Sequence, residues 1–209
     1  LHYPLRRQRQ MCIRDRDERD GTVDASEAEE YTTALAGMSL AELQVDHRSH
    51  VWDMNLEGQD DAAPEDFMKS VEKSLTALNL NYVDLLLIHW PSRTVPIKDT
   101  VGALNDAKRE GMARNIGLSN FTVSLIGEAV NCSGEELFCN QIEYHAYINQ
   151  DKVLKACDDY GILVTCHVPL ARGELLDDPV IQDIAQKHNK SSAQVALKWL
   201  LQQSRIAVV

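Results

Sequence analysis

From Glu65 to Val209 the hydrophobic period of the chain keeps switching, and that alternation restricts the fold more than any other feature. Phe67, Val71, Leu75 and Leu78 recur at three- and four-residue spacing, which marks one face of an amphipathic helix. Residues 83–88 form an apolar run too short for an independent helix; flanked by helices, it reads as a strand buried on both faces. The spacing then predicts a helix over 100–110 closed by Gly111, a strand near 115–118 and a helix over 122–130. It goes on to a strand near 138–142 and a helix over 151–160 closed by Gly161. A strand over 162–166, helices over 179–188 and 191–203 and a last strand over 206–209 complete the pattern. Strands alternating with helices imply an α/β fold with a parallel sheet. No G-x-G-x-x-G follows any strand, so the dinucleotide fingerprint of the open, doubly wound fold is missing. The alternation by itself does not separate an open sheet from a closed barrel.

A complete (β/α)8 barrel takes about 250 residues. With 209 residues, the expectation is an incomplete (β/α)8 TIM barrel. The preceding sequence divides in two. Residues 1–20 are rich in Arg and Gln without periodicity, and the string Met11 to Arg16 (MCIRDR) resembles the translation of a transposon adaptor used in sequencing libraries. They are expected to be a non-native or disordered leader. Residues 21–64 are acidic and weakly patterned, a degenerate N-terminal part of the barrel. Ser26 and Glu29 suit a capping box for a helix through Ala36, and residues 43–45 a strand stub.

Charge narrows the function classes. A net charge of -11, with arginines clustered only in the first twenty residues, argues against a nucleic-acid partner. No apolar run reaches the roughly 18 residues of a membrane span, and no secretory h-region is seen, so no membrane association and a cytoplasmic address are expected. Cys12, Cys132, Cys139, Cys157 and Cys166 show no C-x-x-C spacing and read as reduced core thiols.

The chemistry-bearing residues fall at the C-terminal ends of strands, where barrel enzymes build their sites. One strand ends in Ile88-His89-Trp90-Pro91, the next in Gly117-Leu118-Ser119-Asn120-Phe121. Then follow Asn140-Gln141-Ile142-Glu143-Tyr144-His145 and His167-Val168-Pro169-Leu170-Ala171-Arg172-Gly173. Taken singly, a His or Asn at a strand end most often serves loop backbone, and Asn120 could simply cap the helix beginning near Thr122. Four polar loops on one rim instead suit a ligand that needs several directional hydrogen bonds.

The ordered set DLLLIHWP, GLSNF, NQIEYH and PLARG, followed by AQVALKWLLQQ, resembles the aldo-keto reductases, in particular the bacterial reductases of diketogluconate and small aldehydes. The resemblance covers residues 65–209. It implies NADPH-dependent reduction of an aldehyde or ketone, a small-molecule carbonyl substrate, and a monomer when complete. It implies that His89 orients the substrate carbonyl and that Ser119, Asn120 and Gln141 hold the nicotinamide carboxamide. By the same resemblance Leu170 lines the pyrophosphate, and Trp52 and Trp90 wall the substrate pocket. The sequence departs from the family pattern in places. His167 stands where the family stacks an aromatic ring on the nicotinamide. His50 stands before Val51-Trp52 where a Lys is expected. Asp24 could match the family Asp, but Tyr31 follows it too far downstream for the catalytic Tyr. Two other readings remain. One is a non-catalytic member of the fold that binds nucleotide or a partner. The other is a metal-dependent barrel hydrolase using His89, His145 and His167, although no acidic residue is spaced with them as a metal motif.

Overall fold

The computed structural model describes residues 51–54, 64–203 and 206–208, the first four as main chain only. Residues 1–50, with the leader, the acidic segment, Asp24, Tyr31 and His50, lie outside the described residues. The described residues divide into two compact units, one of residues 51–54, 64–144 and 148–167, the other of residues 145–147, 168–203 and 206–208.

The larger unit is built of β1 (Val51–Met54), α1 (Pro64–Leu78), β2 (Val83–Ile88), α2 (Ile97–Arg109), β3 (Ala113–Ser119), α3 (Val123–Cys132), β4 (Leu137–Glu143), α4 (Asp151–Asp159) and β5 (Leu163–His167). The five strands lie side by side in chain order, and every pair is parallel. A helix between successive parallel strands is what a parallel sheet requires, because a tight hairpin cannot reverse the chain twice. Phe67, Val71 and Leu75 of α1 are buried, so the face read from their spacing is the face that packs. The same turn ends three of these helices. Asn79, Gly111 and Gly161 each take a left-handed φ, and the following amide donates back to the helix: Leu80 to Leu75, Met112 to Ala107, Ile162 to Cys157. Gly117 has a different reason to be glycine. A Cβ there would stand 2.7 Å from the Cys139 carbonyl oxygen and 2.8 Å from Leu87 Cδ2.

The second unit contains a 3₁₀ segment (Ala171–Leu176), α5 (Pro179–His188), α6 (Ser192–Leu201) and β6 (Ile206–Val208). Ala171, Leu175 and Ala196 form its buried cluster, with Leu170 and Ile181 packed against it. Asp178 caps α5 by accepting from the amides of Val180 and Ile181 at 2.8 and 3.1 Å. A capping box between Ser191 and Gln194 starts α6. The Tyr147 hydroxyl donates to the other Asp178 oxygen at 2.6 Å. That bond pushes the phenol up to about 12 and lowers the carboxyl from its ordinary value.

Beyond shifts of one or two residues at element ends, the observed elements depart from expectation in three places. β1 was not foreseen at 51–54. α2 begins at Ile97 rather than at residue 100. The 3₁₀ segment occupies residues expected to be loop. No described helix is long and apolar enough to cross a membrane.

Candidate active site

Strand register decides which side chains can meet. Ser119, the last residue of β3, is level with Gln141 of β4, and Gln141 is level with Thr165 of β5. Two residues on, Glu143 is level with His167. Register neighbours share a sheet face, as do residues two apart on one strand. Ser119, Gln141 and His167 therefore lie on one face, at the C-terminal ends of three adjacent strands. His89 directly follows Ile88, the partner of Leu118, and so comes level with Ser119 on the same face. Trp90 is 63% exposed, and its ring lies 6.1 Å from that of His89 at an angle of 37°.

Asn120 ties these ends together. It adopts a left-handed φ of 62°, a conformation that Asn enters more readily than most residues. Its backbone amide donates to the Gln141 carbonyl at 2.8 Å. Its side-chain Nδ2 donates to the His89 carbonyl at 2.9 Å and lies 3.2 Å from Ser119 Oγ. One residue thus links the ends of β2, β3 and β4. The helix-capping alternative for Asn120 does not hold: the N-cap of α3 is Thr122, and no side chain makes the cap hydrogen bond. The Asn120 amide is used across strands instead.

Ser119 is 1% and Gln141 7% exposed. Among the described residues no hydrogen bond of the Gln141 side chain is seen, and its amide is not wholly shut off from solvent. An amide on the site face whose donor and acceptor are both open among the described residues is suited to pair with another amide. His167, half-buried at the end of β5, offers a flat ring on the same face, and its carbonyl accepts from the Tyr144 amide at 3.4 Å.

Other sequence candidates fall elsewhere. Leu170 lies in the second unit with its side chain against the Ala171, Leu175 and Ala196 cluster, so its packing role is on view. It begins a run of strained backbone: Ala171 and Arg172 follow at φ 49° and 56°, then Gly173 at 100°, with Val168 upstream at 55°. Positive φ in a β-branched residue is an outlier. His145 is buried in the second unit, where its Nδ1 accepts from the Tyr147 amide at 3.4 Å and its ring meets the Tyr147 ring edge-on. Among the described residues no three His, Cys, Asp or Glu side chains are grouped to hold a metal ion, which leaves the hydrolase reading without support. Trp52 sits on β1 with its main chain level with Leu86; its side chain lies outside the described residues. Burial pushes Cys139 and Cys166 up to about 12 and Cys157 to about 11, so none of the three is poised as a nucleophile.

The sequence model of the Aldo/keto reductase family matches residues 27–209. The chain belongs to the aldo-keto reductase family. It is 38% identical over 176 residues to methylglyoxal reductase DkgB of Escherichia coli O157:H7, a match covering 80% of this chain and 64% of that protein. Among crystal structures, a putative 2,5-diketo-D-gluconic acid reductase B superposes with a TM-score of 0.70 at 39% identity, over 76% of this chain and 54% of the other. An aldo/keto reductase from Klebsiella pneumoniae, crystallised with NADP and acetate, superposes with a TM-score of 0.65 at 25% identity, over 71% and 55% of the two chains. The chain therefore spans less than two thirds of the length of these relatives. Its fold is the α/β, parallel-stranded arrangement of the (β/α)8 aldo-keto reductases, present in part. Members of this family use nicotinamide cofactors.

Proposed function

We propose that the protein reduces an aldehyde or ketone with NADPH, and that the rim at the ends of β2 to β5 is its nicotinamide and substrate site. The observation that carries this reading is the Gln141 amide, nearly buried and uncommitted among the described residues, level with Ser119 and bonded through its carbonyl to Asn120. That set fits a nicotinamide carboxamide, which presents one acceptor and two donors. The nucleotide, when bound, supplies the reducing equivalent. Ser119, Asn120 and Gln141 orient it, so that one ring face meets the substrate. His89 holds the carbonyl oxygen by hydrogen bonding, its main chain fixed by Asn120. Trp90, largely exposed beside His89, excludes water from the carbonyl. His167 takes the stacking position with less apolar area than Tyr or Trp would give.

The substrate class suggested is a small 2-oxoaldehyde, from the name of the Escherichia coli relative. Titrating NADPH into the full-length protein, then adding methylglyoxal, tests the reading. Saturable binding followed by carbonyl-dependent NADPH oxidation supports it. Binding without turnover on a panel of aldehydes and ketones would favour a non-catalytic nucleotide-binding protein.

A further inference from the structure

We infer that Asn140 is a positioning residue for this site: through the Phe121 backbone it holds the Ser119-Asn120-Phe121 turn in the conformation from which Asn120 reaches His89 and Gln141. The inference rests on the reading of the rim as a nicotinamide site and adds a residue that touches neither cofactor nor substrate. β4 places two amides side by side, and its pleat sends them to opposite faces. Gln141 goes to the site face with Ser119. Asn140 goes to the other face, level with Leu118 of β3 and Val164 of β5, where the Cys157 thiol of α4 neighbours it. Its exposure is 0%.

An amide among such neighbours is tolerated only if its hydrogen bonds are made. Asn140 makes them with a single backbone residue. Its Oδ1 accepts from the Phe121 amide at 3.3 Å, and its Nδ2 donates to the Phe121 carbonyl at 3.1 Å. The side chain imitates the two-way pairing of a strand, across 19 residues of sequence. One position upstream, the Asn120 amide is taken by the Gln141 carbonyl. The turn is thus held by main chain at Asn120 and by side chain at Phe121. A left-handed non-glycine residue persists where its surroundings over-determine it, and these three bonds do so for Asn120.

The test compares Asn140→Leu and Asn140→Asp in the full-length protein with a control, Ile126→Val, that thins the buried face of α3 away from the turn. Three readouts are followed: amide hydrogen exchange at Asn120 and Phe121, NADPH affinity, and the fraction of label passed to product from nucleotide deuterated on one face. In Asn140→Leu, exchange at both amides accelerates and NADPH binding weakens about tenfold or more, as expected for losing a buried two-bond contact. The label also begins to leak from the second face. Asn140→Asp can accept from Phe121 but cannot donate to it until protonated, so its defects recede as pH falls through the raised pKa of a buried acid. Cys157, the titratable group beside this position, has its thiol pushed up to about 11 by burial and stays neutral over that range; Leu118 and Val164 carry no charge. The control lowers the melting temperature and leaves exchange at the turn and facial fidelity unchanged. If both Asn140 variants fold and keep nucleotide affinity and facial fidelity, or if exchange at Asn120 and Phe121 is unaltered, the positioning role is overturned while the site reading stands. If the unsubstituted protein binds no nicotinamide nucleotide, the site reading fails and the inference with it.

Discussion

The two ends of the same strands use polar residues in opposite ways. At the N-terminal ends, Arg114 of β3 donates to Asp84 of β2 at 2.9 Å and to the Tyr82 hydroxyl at 2.6 Å, with its guanidinium 4.3 Å above the Tyr82 ring. Glu135, just before β4, takes Arg109 at 3.1 Å and Lys108 at 3.5 Å. These groups satisfy one another at a partly exposed surface, where such pairs are worth little individually. At the C-terminal ends the polar groups are more deeply buried, and one amide, Gln141, makes no bond to its described neighbours. Capacity already used among neighbours stabilises a fold, whereas capacity left open at a strand end can serve a ligand. In barrels that division runs along the strand axis.

The largest effect should come from the C-terminal end. His89→Ala in the full-length protein is expected to lower carbonyl turnover by about two orders of magnitude, the range for a positioned acid-base or electrostatic group. NADPH affinity should change little; steady-state kinetics beside nucleotide titration checks both. An intact turnover number would remove His89 from the mechanism. Gly117→Ala comes next, acting on the junction between the two ends. The added Cβ would lie within 2.8 Å of both the Cys139 carbonyl and Leu87 Cδ2, so overpacking should cost about 1–3 kcal/mol, read from the urea midpoint.

A comparable but more selective effect is expected in the cradle. Gln141→Ala should weaken NADPH about tenfold, as for an unpaired buried amide partner, with a nearly unchanged melting temperature. Asn120→Gly keeps the left-handed φ accessible and removes the bonds to His89 and Ser119, so it separates backbone strain from positioning better than alanine does. Arg114→Ala at the opposite end should cost about 1 kcal/mol or less and leave nucleotide affinity untouched. Should it weaken NADPH as much as Gln141→Ala does, the contrast between the two ends collapses.

The smallest effect is a pH dependence in the second unit. Asp178 is lowered from its ordinary 3.8 by the Tyr147 donor. Its contribution is therefore full at neutral pH and is lost as pH falls through that lowered value. Tyr147 is raised from 10.0 to about 12, so its contribution holds below 10 and fades as pH rises toward 12. Melting temperature across pH should fall at both edges more steeply in the unsubstituted protein than in Tyr147→Phe.

Much of this architecture is legible in the sequence because the alternation of helical and strand periods encodes it. The run 83–88 is β2 as observed, and α5 spans 179–188 as expected, with Asp178 capping its start and Asn189 at φ 52° closing it. α2 starts earlier than its apolar spacing suggests, because Pro96 at φ -56° already sets the first turn and Ile97 is buried beneath it. Thr100 is interior, with its hydroxyl unpaired among the described residues. The 3₁₀ segment escaped because Ala171 and Arg172 take a left-handed backbone that neither residue type advertises. Apart from their roles toward a cofactor, which are proposals, the placement of His89, Ser119, Asn120 and Gln141 at the ends of adjacent strands was legible from motif and position. Asn140 was not, since two adjacent amides look equivalent until register assigns them to opposite faces.

NADPH titration of the full-length protein with Gln141→Ala and Arg114→Ala alongside tests the central claim most directly. Saturable binding to the unsubstituted protein, weakened by Gln141→Ala and unaffected by Arg114→Ala, is the predicted result. Absence of binding, or equal loss in both variants, would contradict a nicotinamide site at the C-terminal ends of these strands.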